Sequence, residues 1–133
     1  MSNLNAIETA IGQRLATPAI LPIVYPNKAA SPAKPYAVLQ HVPTMRDSKA
    51  ISGDGGVIER GYFTITVVAP SNTFSTVANG KADEIAARFP MGFKLAVNGR
   101  ILTVTKPASP MTPYPDGSDW RQPIRVDYQV TDR

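Results

Sequence analysis

The chain has 133 residues, 43% of them hydrophobic and 18% charged, with no cysteine, and its 14 Lys plus Arg against 10 Asp plus Glu leave a formal charge of +4. Length and apolar share predict one folded domain, residues 1–133, with its own core, and they exclude a disordered chain, which would be poorer in apolar and richer in charged residues. The lack of cysteine excludes disulfides, thiolate catalysis and cysteine-ligated metal, while the modest basic excess is scattered and singles out no polyanion. No apolar run approaches the roughly 20 residues that cross a bilayer, and the first residues lack the basic and apolar regions of a signal peptide, so the expectation is cytoplasmic synthesis and no membrane partner.

In chain order, Asn3 is placed to cap a helix whose Leu4, Ile7, Ile11 and Leu15 form one apolar stripe, with Glu8, Gln13 and Arg14 facing outward and an end near Ala16, before Thr17-Pro18. Ile20 to Tyr25 is interrupted by Pro22 and ended by Pro26, so at most it forms a brief edge strand. Tyr36 to Val42 reads as a strand ended by Pro43. Thr44 to Gly56, closing in Ser52-Gly53-Asp54-Gly55-Gly56, reads as a flexible loop whose two ends pair antiparallel.

The clearest pattern runs from Gly61 to Pro90. Phe63, Ile65 and Val67 alternate with Tyr62, Thr64 and Thr66, the period of a half-buried strand, and Pro70 closes it. Ser71 and Asn72 then offer caps to a helix carrying Phe74, Val77, Ala78, Ala82, Ile85, Ala86 and Phe89 at helical spacing. Asn98-Gly99 lies between two strand-like runs, Lys94 to Val97 and Arg100 to Thr105, and predicts a two-residue hairpin, since both turn residues need positive φ. Pro107 to Ser118 reads as an irregular loop with a turn at Pro115-Asp116-Gly117. Beyond it Ile124, Val126, Tyr128 and Val130 face inward and Arg125, Asp127 and Gln129 outward to water or a partner. This order does not alternate strand and helix, so the expected fold is α+β: a mostly antiparallel twisted sheet with two helices packed on one face.

Chemistry is hard to assemble from these residues. His41 is the only histidine, which removes two-histidine metal sites, and it reads as a strand residue facing solvent or a neighbour. The glycine run at 52–56 lacks the lysine followed by Ser or Thr of a phosphate loop, and Asn79-Gly80-Lys81 sits inside the second helix, where Gly80 allows a close approach or weakens the helix by about 1 kcal/mol. Asp116 to Asp119 lacks the remaining ligands of a calcium loop. Asp83 and Glu84 diverge by about 100° and form a solvated face. No catalytic residue, metal or cofactor is expected, and the chain reads as no enzyme. Trp120 packs on its own core with its indole N–H on a carbonyl more readily than it forms a binding hot spot beside Arg121. Arg46, Lys49 and Arg60 are surface cations near the loop.

The whole chain resembles the tail terminator, or tail completion, proteins of long-tailed bacteriophages. The likeness lies in the helix Leu4 to Leu15, the link Ile23-Val24-Tyr25-Pro26-Asn27, the strand opening Pro35-Tyr36-Ala37-Val38-Leu39, the glycine-rich loop ending at Gly56, the strand from Gly61 to Pro70, the helix end Asp83 to Pro90, and the final strand introduced by Asp116-Gly117-Ser118-Asp119-Trp120. The resemblance implies a structural virion protein, assembled in the host cytoplasm and located at the head–tail junction. It implies a homo-oligomer, a hexameric ring, that caps the tail tube, ends polymerisation of the tube protein and joins the head-completion or connector protein. The alternative of another class is a head–tail connector or tail tube protein with a similar subunit. Contact residues are expected on the polar strand faces and on the loop toward the lumen or a neighbour: Arg46, Lys49, Asp54, Arg60, Trp120 and Arg121. Non-specific contact of Arg46 and Lys49 with DNA or tape-measure protein in the lumen is part of that expectation.

Overall fold

A computed structural model describes residues 3–16, 21–25, 35–48, 57–70, 76–97 and 99–131. Helix α1 (Asn3–Ala16) is followed by β1 (Ile23–Val24), β2 (Tyr36–Ser48), β3 (Val57–Pro70), α2 (Thr76–Ala87), β4 (Lys94–Val97), β5 (Arg100–Val104), β6 (Ser109–Pro110), β7 (Tyr114–Asp116) and β8 (Asp119–Thr131). The strands form one eight-stranded sheet in the order β1-β2-β3-β8-β5-β4, with β6 and β7 also paired to β8. Only the two-residue β1 is parallel to its neighbour; all other pairs are antiparallel. The predicted α+β fold is the one observed.

Period-two alternation fixes the sheet's inner face. Leu39 opposes Ile65, and Ala37 opposes Val67, while Phe63 and Ile65 oppose Val126 and Ile124 of β8. All of these are fully buried, and slipping any strand by one residue would expose its whole apolar set. Both helices bury their stripes on this face: Ile7, Ile11 and Leu15 of α1, and Ala78, Ala82, Ile85 and the following Phe89 of α2, share one core with the inner sheet residues. Each such buried Leu, Ile or Phe side chain contributes roughly 1.5–3 kcal/mol. The hairpin of β4 and β5 forms as expected, with Val97 opposite Arg100 and Gly99 at φ +78°, while Asn98 lies outside the described residues. The expected caps Ser71 and Asn72, and Phe74, lie outside the described residues.

Pro43 does not end β2, which continues to Ser48 through a bulge that passes from the Pro43–Gly61 pair to the Met45–Arg60 pair. A bulge absorbs one extra residue and tolerates the missing proline donor, so only the tip of the 44–56 segment falls between the strands. The 107–118 segment is likewise not wholly irregular, because β6 and β7 run back along β8. Pairing lapses between them where the Pro123 carbonyl accepts from Met111 N at 2.9 Å. The proline nitrogen faces the same way and cannot donate; instead the Gln122 side-chain amide donates to Met111 O at 2.7 Å.

Arg14, expected to face outward, turns to the end of the other helix. Its Nε donates to Arg88 O at 3.0 Å, and Arg88 Nη1 donates to Arg14 O at 3.0 Å and Leu15 O at 3.3 Å. Each helix end thus receives a cation from the other where its last carbonyls are unsatisfied and its dipole is negative. The Arg14 guanidinium also lies 4.4 Å from the centre of the Phe93 ring. Glu8, also expected outward, reaches His41 across the inner face, while Gln13 is exposed as expected.

Candidate functional site

The sheet's outer face holds the molecule's main polar surface. Arg60 and Tyr62 of β3, Arg125, Asp127 and Gln129 of β8, and Lys106 beyond β5 line an open groove of about 380 Å³. These residues meet because Tyr62 pairs with Asp127 and Arg60 with Gln129 across the β3–β8 ladder, and the alternation that sends Phe63 and Val126 inward sends these outward. Arg125 lies over the Tyr62 ring, 3.9 Å from its centre, and donates to Asp127 Oδ1 from Nε at 3.1 Å. Arg60 Nε donates to Gln129 Oε1 at 3.1 Å. Arg60 and Lys106 form no ion pair among the described residues, and three cations against Asp127 leave the groove positive.

The other expected contact residues among those described, Arg46, Trp120 and Arg121, do not line the groove. Arg46 sits at the base of the β2–β3 arm, where its Nε pairs with Glu59 Oε1 at 3.1 Å, while Arg100 Nη1 donates to Glu59 Oε2 at 3.1 Å from the other side. Glu59 is buried on the inner face, so this two-arginine clamp joins the arm to the β4–β5 hairpin. Arg121 Nε is 2.9 Å from Asp116 Oδ2, an ion pair across the β7–β8 turn that is not aligned as a hydrogen bond. Trp120 packs against the core as expected, and among the described residues its indole N–H has no hydrogen-bond acceptor. Lys49 and Asp54 lie outside the described residues.

A second cluster lies between α1 and the sheet. The His41 ring stacks on Phe63, with centroids 4.5 Å apart and planes 10° from parallel. Its Nδ1 meets Glu8 Oε2 at 3.2 Å and its Nε2 the Tyr128 hydroxyl. A carboxylate only accepts, so in the neutral imidazole Nδ1 carries the hydrogen and Tyr128 O–H donates to Nε2. Burial, then the charges of Glu59 and Glu8, push the Tyr128 phenol well above its ordinary value. A phenol so hard to ionise supplies no nucleophile near neutral pH; the chain of three is a tie between helix and sheet. The second branch of the expectation for His41, a strand residue facing a neighbour, is the one realised. Residue separations of 33 and 87 left no local signal for these partners.

Among the described residues no group of His, Asp and Glu could hold a metal ion, and no helix is long and apolar enough to cross a membrane. A model of the phage tail terminator protein family matches residues 6–128, which takes in the core of α1, the whole sheet up to Tyr128 and α2. The chain belongs to the phage tail terminator family. This terminator-family chain is a structural protein of the phage tail. One solved structure without a functional name is 29% identical to it, with a TM-score of 0.80, covering 98% of this chain and 96% of its own. A chain from the virion of a native gene transfer agent particle is 18% identical with a TM-score of 0.64, covering 98% and 97%, and shares the fold. No curated protein matches significantly.

Proposed function

We propose that this chain is a one-domain subunit of a closed hexameric ring that caps the tail tube at the head–tail junction, ends tube polymerisation and presents the joining surface to the head-completion proteins. The family match over residues 6–128 carries the reading. The kinship of fold with a chain of a gene transfer agent virion supports it. So does the free edge of β2: beyond Ala37 and Val38 it has no strand beside it among the described residues, and Pro43 and the bulge interrupt it. Interrupted edges resist strand-to-strand growth, which suits a ring that must close rather than a tube that must extend. Contact residues on this reading are Arg46 of β2, Lys49 and Asp54, Arg60 in the groove, and Trp120 and Arg121 at the β7–β8 turn. Electron microscopy of the purified protein tests it. Closed rings of one size are expected; long tubes favour a tube protein, and single subunits at high concentration overturn the ring.

A further inference from the structure

The groove on the outer sheet face and the exposed side of α2 lie on opposite sides of the molecule and carry opposite charge. In the groove, Arg60 and Lys106 are exposed and form no ion pair among the described residues, while Arg125 is already held by Asp127 and Tyr62. On α2, Ala78, Ala82 and Ile85 are buried against the sheet, which turns Asp83 and Glu84 to solvent. Asp83 has no partner among the described residues; Glu84 meets only Lys81 of its own helix, at 3.6 Å, and its side chain stays 56% exposed. A head-to-tail contact requires two different, complementary patches on each subunit, placed so that one faces each neighbour. We infer that the groove of one copy receives the Asp83–Glu84 side of α2 from a second copy.

Asp83, without a partner among the described residues, and Glu84, held only by Lys81 at 3.6 Å, offer carboxylates to Arg60 and Lys106. The occupant is protein carboxylate from this same chain, and a phosphate backbone is the alternative that the test reads out. The inference rests on the ring reading and specifies which surfaces close it. Such a pairing steers approach and fixes register more than it adds affinity, and salt weakens it.

The test reverses charge on each side. Arg60→Glu with Lys106→Glu, and separately Asp83→Lys with Glu84→Lys, are each expected to weaken self-association at least tenfold in sedimentation velocity, while the fourfold variant restores it. All four positions are exposed, and far-ultraviolet circular dichroism confirms that each variant is folded. Wild-type rings together with undiminished rings from both double variants would overturn the pairing and leave the ring reading intact. A wild-type protein that stays single would overturn both. If the groove variant loses binding to a duplex DNA oligonucleotide while still assembling, the groove serves nucleic acid and the inference fails.

Discussion

Glu8 Oε2 on α1 lies 3.2 Å from His41 Nδ1 on β2, and this contact fastens the first helix to the sheet through a ring stacked on Phe63 and bonded to Tyr128. His41→Ala removes the partner of a buried phenol and opens a gap beside Phe63. A loss of ~2–4 kcal/mol is expected in urea unfolding, from the unsatisfied hydroxyl and the cavity together. Glu8→Gln keeps an acceptor on a partly exposed side chain, so its expected cost is below ~1 kcal/mol. Equal losses for the two variants would show that the Glu8 carboxylate contact, rather than the packing on Phe63 and the bond to Tyr128, carries the tie.

Tyr128 also sets an alkaline limit. Its phenol is raised above the ordinary value of 10.0 by burial first and by Glu59 and Glu8 second. The folded state therefore holds this proton more tightly than the unfolded state. Its contribution is fully present below pH 10 and is lost as pH rises beyond that toward the folded value, by up to ~1.4 kcal/mol per pH unit for one proton. Unfolding of the wild type followed from pH 8 to 11.5, against Tyr128→Phe, measures this. The variant starts less stable because His41 Nε2 loses its donor, yet it should decline less steeply above pH 10.

The same substitution is expected to act in opposite directions at two glycines. A Cβ at Gly61 would lie 2.6 Å from Val42 O, 2.8 Å from the Tyr128 hydroxyl and 2.9 Å from Pro43 Cα, so backbone must move. Gly61→Ala should cost ~2 kcal/mol or more. At Gly80, inside α2, a Cβ meets nothing within 4 Å. Gly80→Ala should gain up to ~1 kcal/mol, because alanine is the better helix former and restricts the unfolded chain. Chemical denaturation of the two variants beside the wild type decides both signs.

At the base of the arm the two arginines on Glu59 differ in exposure. The Arg46 side chain is 72% exposed and Arg100 only 16%. Arg46→Ala is expected to cost below ~1 kcal/mol, as for surface pairs, and Arg100→Ala ~2–4 kcal/mol, because it strips the deeper partner from a buried carboxylate. Thermal unfolding should rank them in that order; the reverse ranking would show that the arm, rather than the β4–β5 hairpin, holds Glu59.

Where a single strand or turn decided the structure, the sequence was enough to read it. Phe63, Ile65 and Val67 announce β3 by alternation, Ile124 to Val130 announce β8, and Asn98-Gly99 announces its hairpin because few other pairs take that turn. Features that depend on which strands become neighbours were not legible. Pro43 looks like a terminator of β2 until its bulge against Gly61 is known. Pro123 looks like an ordinary strand residue until Met111 is found opposite its carbonyl. Arg14 follows the polar face of α1 in the sequence, yet the end of α2 lies within reach and takes it. Of the expected contact residues, Arg60 alone lines the groove; Lys106, Arg125 and Asp127 join it only through the β3–β8 and β5–β8 registers.

The proposed role is tested most directly by the length of tails assembled without this protein. Tubes made from the tube and tape-measure proteins in its absence should overrun their set length and remain unjoined to heads, and adding the purified protein should restore a single length and head joining. Tails of normal length joined to heads in its absence would contradict the account.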